Sequence, residues 1–296
     1  MPPCVGAAGA IASSSAPVPG LGLGPGSDRP GERRTRVQRG AGSQLAALGY
    51  GGKPRMPWRG GWGAMEFFEQ QWSSYRAIVD HDLMEHRALT AAVAQVLDQW
   101  LATRPAGTPA PELVDLGCGD LALMAAHYRR WPLGGLWALD LTARVLSLAQ
   151  QQLGPVGYPC CFQQGDLFAW ASQVDGQPVD LIHTAFAVHH LNDDQKQTFL
   201  QGCRRRLRPG GLMLWGDVFR EPGESRDEYV KRYSQRIRSG WTVLSDLQQE
   251  QTINHLSSLD NPADWGTIGA LARAAGFESR WVWGGQHRAE KLLVLT

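Results

Sequence analysis

From residue 113 to residue 218 the chain alternates short apolar runs with stretches whose apolar positions recur at helical spacing. The runs at 113–116, 135–140, 158–164, 179–185 and 211–218 predict strands, and the segments at about 121–130, 142–153, 167–173 and 193–207 predict helices. Such alternation predicts an open α/β architecture, a mainly parallel sheet with helices on both faces. Pro209-Gly210-Gly211 stops the last of these helices and turns the chain into the fifth strand. Further on, Ile268 to Ala275 reads as a helix stopped by Gly276. Phe277–Trp283 and Lys291–Leu295 then read as two strands able to pair antiparallel, which brings the sheet to seven strands.

Two helical patterns precede the sheet. Phe67, Phe68, Trp72, Tyr75, Ile78 and Val79 share one face of the first, and Leu89, Val93, Val96, Leu97 and Trp100 point inward from a second between Leu83 and Leu101. One segment breaks the alternation. Residues 219–262, after the fifth strand, hold two helical patterns, Glu224–Arg238 and Ser245–Leu256. A long helical insertion at the carboxyl end of a sheet strand is expected to lie over the ligand crevice, here as a substrate-shaping lid.

Residues 1–64 are of another kind. They are rich in Gly, Ala, Pro, Ser and Arg and poor in large apolar side chains, so they are expected to form a disordered low-complexity tail ahead of a folded domain at 65–296. A targeting leader, or upstream sequence ahead of a start at Met56 or Met65, are the competing explanations. The 296 residues are 43% hydrophobic and 19% charged with a net charge of +1, which argues against general nucleic-acid binding. No apolar stretch reaches membrane-spanning length, and no membrane partner is expected. Five cysteines without a C-x-x-C pair point away from a disulfide framework or a zinc site and fit a reducing cytoplasm.

The chemistry concentrates at Leu113-Val114-Asp115-Leu116-Gly117-Cys118-Gly119-Asp120, a strand that ends in an acid and a glycine turn. Glycines let the backbone approach a ligand, and a helix beginning there would offer free N–H groups to an anion. Asp140 closes the next strand, where a carboxylate can accept hydrogen bonds from ribose hydroxyls. The pair predicts a nucleoside-bearing cofactor. Asp140 and Asp166 have an alternative role as caps of the helices that follow them.

The order of these features resembles the class I, seven-stranded S-adenosylmethionine-dependent methyltransferases of the small-molecule type. Val114 to Gly119 is similar to that family's first motif, and Gly165-Asp166-Leu167 to its adenine-contacting segment. Asp180 to Leu191 is similar to the fourth motif with its flank, and Leu207 to Gly211 to the lead into its fifth strand. The resemblance implies S-adenosyl-L-methionine as cofactor. It implies contacts from Asp115, Gly117 and Gly119 to the methionine portion, Asp140 to the ribose, Asp166 and Leu167 to adenine, and the backbone of Thr184 or Ala185 near the methionine amine, with Cys118 and Leu141 also among the cofactor-binding residues. Tyr75, on the first helix, would close over the site. The chain departs from the pattern at Leu121, where many relatives carry a third glycine.

The partner implied is a small-molecule methyl acceptor with an O or N nucleophile. His189, His190, His255 and Asp217 are the candidates to take its proton, and no metal is expected. No nucleic-acid acceptor is expected, because Thr184-Ala185-Phe186 stands where an Asn/Asp-Pro-Pro-aromatic tetrad would be. Gly117, Gly119 and Ala122, with Asp140 about 20 residues on, also fit a dinucleotide fingerprint, so an NAD-dependent oxidoreductase is the alternative. Tyr229, Arg232, Tyr233 and Arg236 share one helical face. Nearby acids favour a solvated face there over an anion clamp.

Overall fold

The computed structural model describes residues 72–296, so the expectations for the tail at 1–64 and for Phe67 and Phe68 lie outside the described residues. It opens on helix α1 (72–80) and α2 (His86–Thr103). The sheet then builds as β1 (Glu112–Leu116), α3 (Ala125–Arg130), β2 (Gly135–Asp140), α4 (Ala143–Leu153), β3 (Cys160–Gln164), α5 (Leu167–Ser172) and β4 (Val179–Ala185). A single 3-10 turn, Val188–His190, leads to α6 (Asp193–Arg206) and β5 (Leu207–Val218). After α7 (Arg226–Gly240), α8 (Asp246–Leu259) and α9 (Trp265–Ala274), the chain ends in β6 (Ser279–Gly284) and β7 (Glu290–Leu295).

The seven strands lie in the order β3-β2-β1-β4-β5-β7-β6. The first five are parallel, and β7 inserts antiparallel between β5 and β6. Alternate residues of each central strand feed opposite faces, as a period of two requires. Leu113, Leu136, Leu181 and Leu212 pack with α2, α3 and α4, whereas Val114, Ile182, Met213 and Trp215 pack with α5, α6 and α9. Both faces are covered, which is why the strands read as near-continuous apolar runs.

Boundaries differ from expectation in three places. The fifth strand starts at Leu207, not 211, with an irregular register between Val179 and Leu181 that absorbs the Pro-Gly-Gly step. α9 starts at Trp265, because Asp264 caps it by accepting the Gly266 and Thr267 amides, each at 3.0 Å. α3 starts only at Ala125, because Leu121 adopts a left-handed φ of 57° that interrupts the helix.

The insertion builds a core of its own. Capping boxes at Ser225/Glu228 and Ser245/Gln248 start its helices. Tyr229, Tyr233, Ile237, Trp241 and Leu256 pack with Val218 and Ala289 and against Ala77 and Ile78 of α1. Arg232 pairs with Glu224 at 2.7 Å and Arg236 with Glu290 at 2.6 Å, so the basic face is spent on internal ion pairs rather than on an anion clamp. Among the described residues, no helix is long and apolar enough to cross a membrane.

Candidate active site

A cavity of about 430 Å³ opens at the carboxyl ends of β1, β2 and β4, within the usual range of about 300–1,000 Å³ for small-molecule sites. Asp115, Gly117, Cys118 and Gly119 from the first turn, Asp140 and Leu141 from the second, and Leu167 line it. So do Trp72, Tyr75 and Val79 of α1, which forms its cover. Phe186, Ala187 and His190, after β4, complete one wall.

The glycine turn is folded onto the end of β2. The Gly117 and Cys118 amides both donate to the Leu139 carbonyl, at 2.8 and 3.0 Å, and the Gly119 amide donates to Asp140 Oδ2 at 3.0 Å. This corrects one expectation. Those amides are consumed within the fold, and α3 begins too late for its first turn to meet an anion there. The glycines serve space and backbone shape instead. A Cβ on Gly117 would stand 2.7 Å from Ala187 Cβ, and Gly119, at φ 57°, lies directly under the Tyr75 hydroxyl.

Asp140 also accepts the Thr142 amide on Oδ1, at 2.9 Å. Burial pushes its carboxyl above the ordinary range, against the pull of the backbone hydrogen bonds from Thr142 and Gly119. Each oxygen has used one of its two acceptor sites on the protein, so one on each stays available to a ligand hydroxyl. Asp115 is buried and held on both oxygens, by Tyr128 Oη at 2.6 Å and His183 Nδ1 at 3.0 Å. Burial, reinforced by the charges of Asp115 and Asp140, pushes the Cys118 thiol up, which makes it a poor nucleophile. Bare backbone, a two-site acceptor and an enclosed apolar wall together fit a nucleoside-bearing ligand.

Asp166 and Thr184 stand outside the lining, whereas Ala185, the alternative to Thr184, borders the cavity. Asp166 caps α5, accepting the Ala169 amide at 2.7 Å, and leaves Gly165 and Leu167 to border the cavity. Thr184 is buried and donates to the Leu116 carbonyl at 2.8 Å, which ties β4 to β1. Of the proton acceptors considered, His190 alone lines the cavity. Asp217 is fully buried at the end of β5. It accepts from the Val188, His189 and Val218 amides, from Trp215 Nε1 and from His189 Nδ1, the last at 2.6 Å. Burial raises the Asp217 carboxyl, but the paired His189 and these donors outweigh it, so it stays ionised below its ordinary value. It positions the turn after β4. His255 sits on α8, half exposed, with its ring 5.3 Å from that of His190.

Sequence reasoning passed over His86, His183, Tyr128 and Asp120. His86 lines the cavity with its ring 4.8 Å from Phe186. Its helical spacing from Leu89 and Val93, which puts it on the inward face, was the available signal. Tyr128 and His183 reach Asp115 from 13 and 68 residues away, and no local pattern connects them.

Comparison with known proteins agrees with this geometry. Residues 113–211 match the family described as a methyltransferase domain. A trans-aconitate 2-methyltransferase of Azoarcus sp. (strain BH72) is 38% identical over 104 residues, 35% of this chain and 38% of that protein. A malonyl-[acyl-carrier protein] O-methyltransferase of Paenibacillus sp. (strain JDR-2) is 26% identical over 149 residues, 48% of this chain and 53% of that protein. The chain thus spans about half or less of the length of these curated relatives. Magnesium protoporphyrin IX methyltransferase from Synechocystis PCC 6803, solved with bound S-adenosylhomocysteine, shares the fold. Its TM-score is 0.50 at 13% identity, over 76% of this chain and 93% of that one. A possible exported protein from Bordetella parapertussis does so at a TM-score of 0.51 and 14% identity, over 71% and 67%. The methyltransferase-domain match runs from β1 into β5, about a third of the chain, and the seven-stranded sheet with its antiparallel β7 has the Rossmann-like fold of the class I S-adenosylmethionine-dependent methyltransferases.

Proposed function

We propose that this chain transfers a methyl group from S-adenosyl-L-methionine to an O or N nucleophile of a small molecule. One observation carries the reading. Asp115 and Asp140 end neighbouring parallel strands and open, with Gly117 and Gly119, on a single cavity. When bound, S-adenosylmethionine supplies a methyl group that its sulfonium has already made electrophilic. The protein has to hold the acceptor in line and keep water out.

In this reading Asp140 takes the ribose hydroxyls on its two spare acceptor sites. Asp115, fixed by Tyr128 and His183, presents a rigid negative edge to the methionine portion. Gly117, Cys118 and Gly119 give room beneath it, Leu141 and Leu167 flank the base, and Tyr75 and Trp72, whose rings stack 5.3 Å apart, close the top. The acceptor approaches from the wall of Phe186, Ala187 and His190. We favour a carboxylate oxygen as the nucleophile. Two matched relatives are named for trans-aconitate and for the malonyl group of acyl-carrier protein, both of them acids. A carboxylate arrives deprotonated, so orientation suffices and no side chain has to remove a proton. The residues at 219–262 do not line the cavity; they brace α1 and Phe186 and, through His255 and Asp260, meet His190, which makes them a support for the cover and the wall.

The oxidoreductase alternative gives way, because the antiparallel β7 departs from the all-parallel dinucleotide sheet and the matched domain is a methyltransferase one. The test is methyl transfer from radiolabelled S-adenosylmethionine to a panel of small di- and tricarboxylates, phenols and amines, with transfer RNA and peptides alongside. Label in a small acid supports the reading. Label in RNA or peptide alone overturns it.

A further inference from the structure

The turn after β4 and the end of α8 gather three imidazoles around one carboxylate. Asp260, which follows α8, is buried, and its Oδ1 has no hydrogen-bond partner. His190 Nδ1 lies 3.1 Å from that oxygen, His255 Nε2 3.5 Å and His189 Nε2 3.7 Å. These approaches are close yet not aligned as hydrogen bonds, as expected of donors that converge on a third centre rather than on each other. Ligand atoms at zinc distances of about 2.0–2.1 Å in a tetrahedron lie about 3.3–3.4 Å apart, and the three separations bracket that spacing.

The surroundings are also those of a metal site. His189 Nδ1 meets Asp217 Oδ1 at 2.6 Å, the carboxylate–histidine arrangement that would hold a proton on Nδ1 and offer Nε2 to an ion beside Asp260. The Asn261 amide donates to the His189 carbonyl at 2.7 Å, and the buried Lys196 ammonium to the Asn261 carbonyl at 2.6 Å, so the two segments are fixed without an ion. His190 and His255 are half exposed and leave a way in from solvent.

We propose that His189, His190 and Asp260 bind a divalent transition-metal ion, Zn²⁺ by their donor set, with His255 as the fourth ligand. Imidazole nitrogens with one carboxylate suit zinc, whereas magnesium and calcium call for oxygen shells. The ion ties α8 to the turn that carries Phe186 and Ala187, and so stiffens the acceptor wall. The site stands independently of the methyl-transfer reading.

The test uses the full, tag-free chain stripped with a chelator and titrated with Zn²⁺ by calorimetry, with Co²⁺ as a visible-absorption probe. The expected result is one Zn²⁺ per chain, a Tm raised by several degrees, a tetrahedral Co²⁺ spectrum and no competition from excess Mg²⁺. His190→Ala and Asp260→Asn should each weaken Zn²⁺ by more than the roughly 10–100-fold that loss of an outer partner brings. His255→Ala should weaken it less. Circular dichroism melts of the metal-free variants separate loss of a ligand from loss of the fold. Absence of stoichiometric binding, or unchanged affinity in both ligand variants, overturns the site. S-adenosylhomocysteine binding by the same stripped sample shows whether the cofactor reading stands apart from that outcome.

Discussion

Arg76 Nη1 meets Asp120 Oδ2 at 2.6 Å and clips α1 to the residue that follows the glycine turn. The same guanidinium reaches Asp80 one helical turn away, at 2.8 Å. The cover of the cavity is thus fastened to its floor by a charge pair whose acid is buried and whose base is about a third exposed. Arg76→Ala should weaken S-adenosylhomocysteine binding roughly tenfold, since partial exposure limits the pair to about 1–2 kcal/mol. Arg76→Lys should recover part of it. Equal affinity in wild type and Arg76→Ala, by calorimetry, would show that the clip does not hold the cover.

Leu121 carries strain and packing at once. Its φ of 57° belongs to the region glycine favours, yet its side chain is buried. The left-handed conformation costs about 1–2 kcal/mol for a non-glycine residue, while burying a leucine contributes about 1.5–3 kcal/mol. Leu121→Ala loses the packing and keeps the strain. Leu121→Gly loses the packing and relieves it. Urea melts should therefore find the glycine variant more stable than the alanine variant by about 1 kcal/mol. The reverse order would mean that Leu121 holds this backbone without strain.

His86 makes stability depend on pH. It is buried, with Nδ1 unpartnered, and burial lowers its pKa to about 4, against a small upward pull from Asp82. Below about pH 6.5 the unfolded chain takes up a proton that the folded chain refuses. Its contribution is whole above pH 6.5 and is lost as the pH falls towards 4, by about 3 kcal/mol in all. His86→Phe, which keeps the contact with Phe186, should flatten the pH profile of unfolding between 7 and 5 relative to wild type. Parallel profiles would place the acid sensitivity elsewhere.

Much of this molecule is legible in local patterns. β2 and β4 fall where their apolar runs end, and the two acids 25 positions apart do share one cleft, because a parallel register of β1 on β2 brings their carboxyl tips together. Asp260 was out of reach. It joins His189 only because the insertion folds back, and a single Asp after a polar helix carries no signal of its own. The early end of α3 was equally hidden. The backbone at Leu121 is left-handed, a conformation glycine favours, and a buried leucine in a helical pattern gives no sign of that. Asp166 and Thr184 were placed by resemblance; the Asp166 side chain caps α5 and the Thr184 hydroxyl ties β4 to β1, while Ala185, the alternative to Thr184, borders the cavity.

Asp140 and the glycine turn beside it are expected to grip an adenosyl ligand. Isothermal titration of S-adenosylhomocysteine and of NADH into wild type and Asp140→Ala checks this. S-adenosylhomocysteine should bind wild type and NADH should not, and the Asp140→Ala variant, still folded by circular dichroism, should lose at least about tenfold in affinity, since a hydrogen bond to a charged group contributes about 1.5–3 kcal/mol. Tighter binding of NADH, or S-adenosylhomocysteine affinity unchanged by Asp140→Ala, would remove Asp140 from the cofactor site.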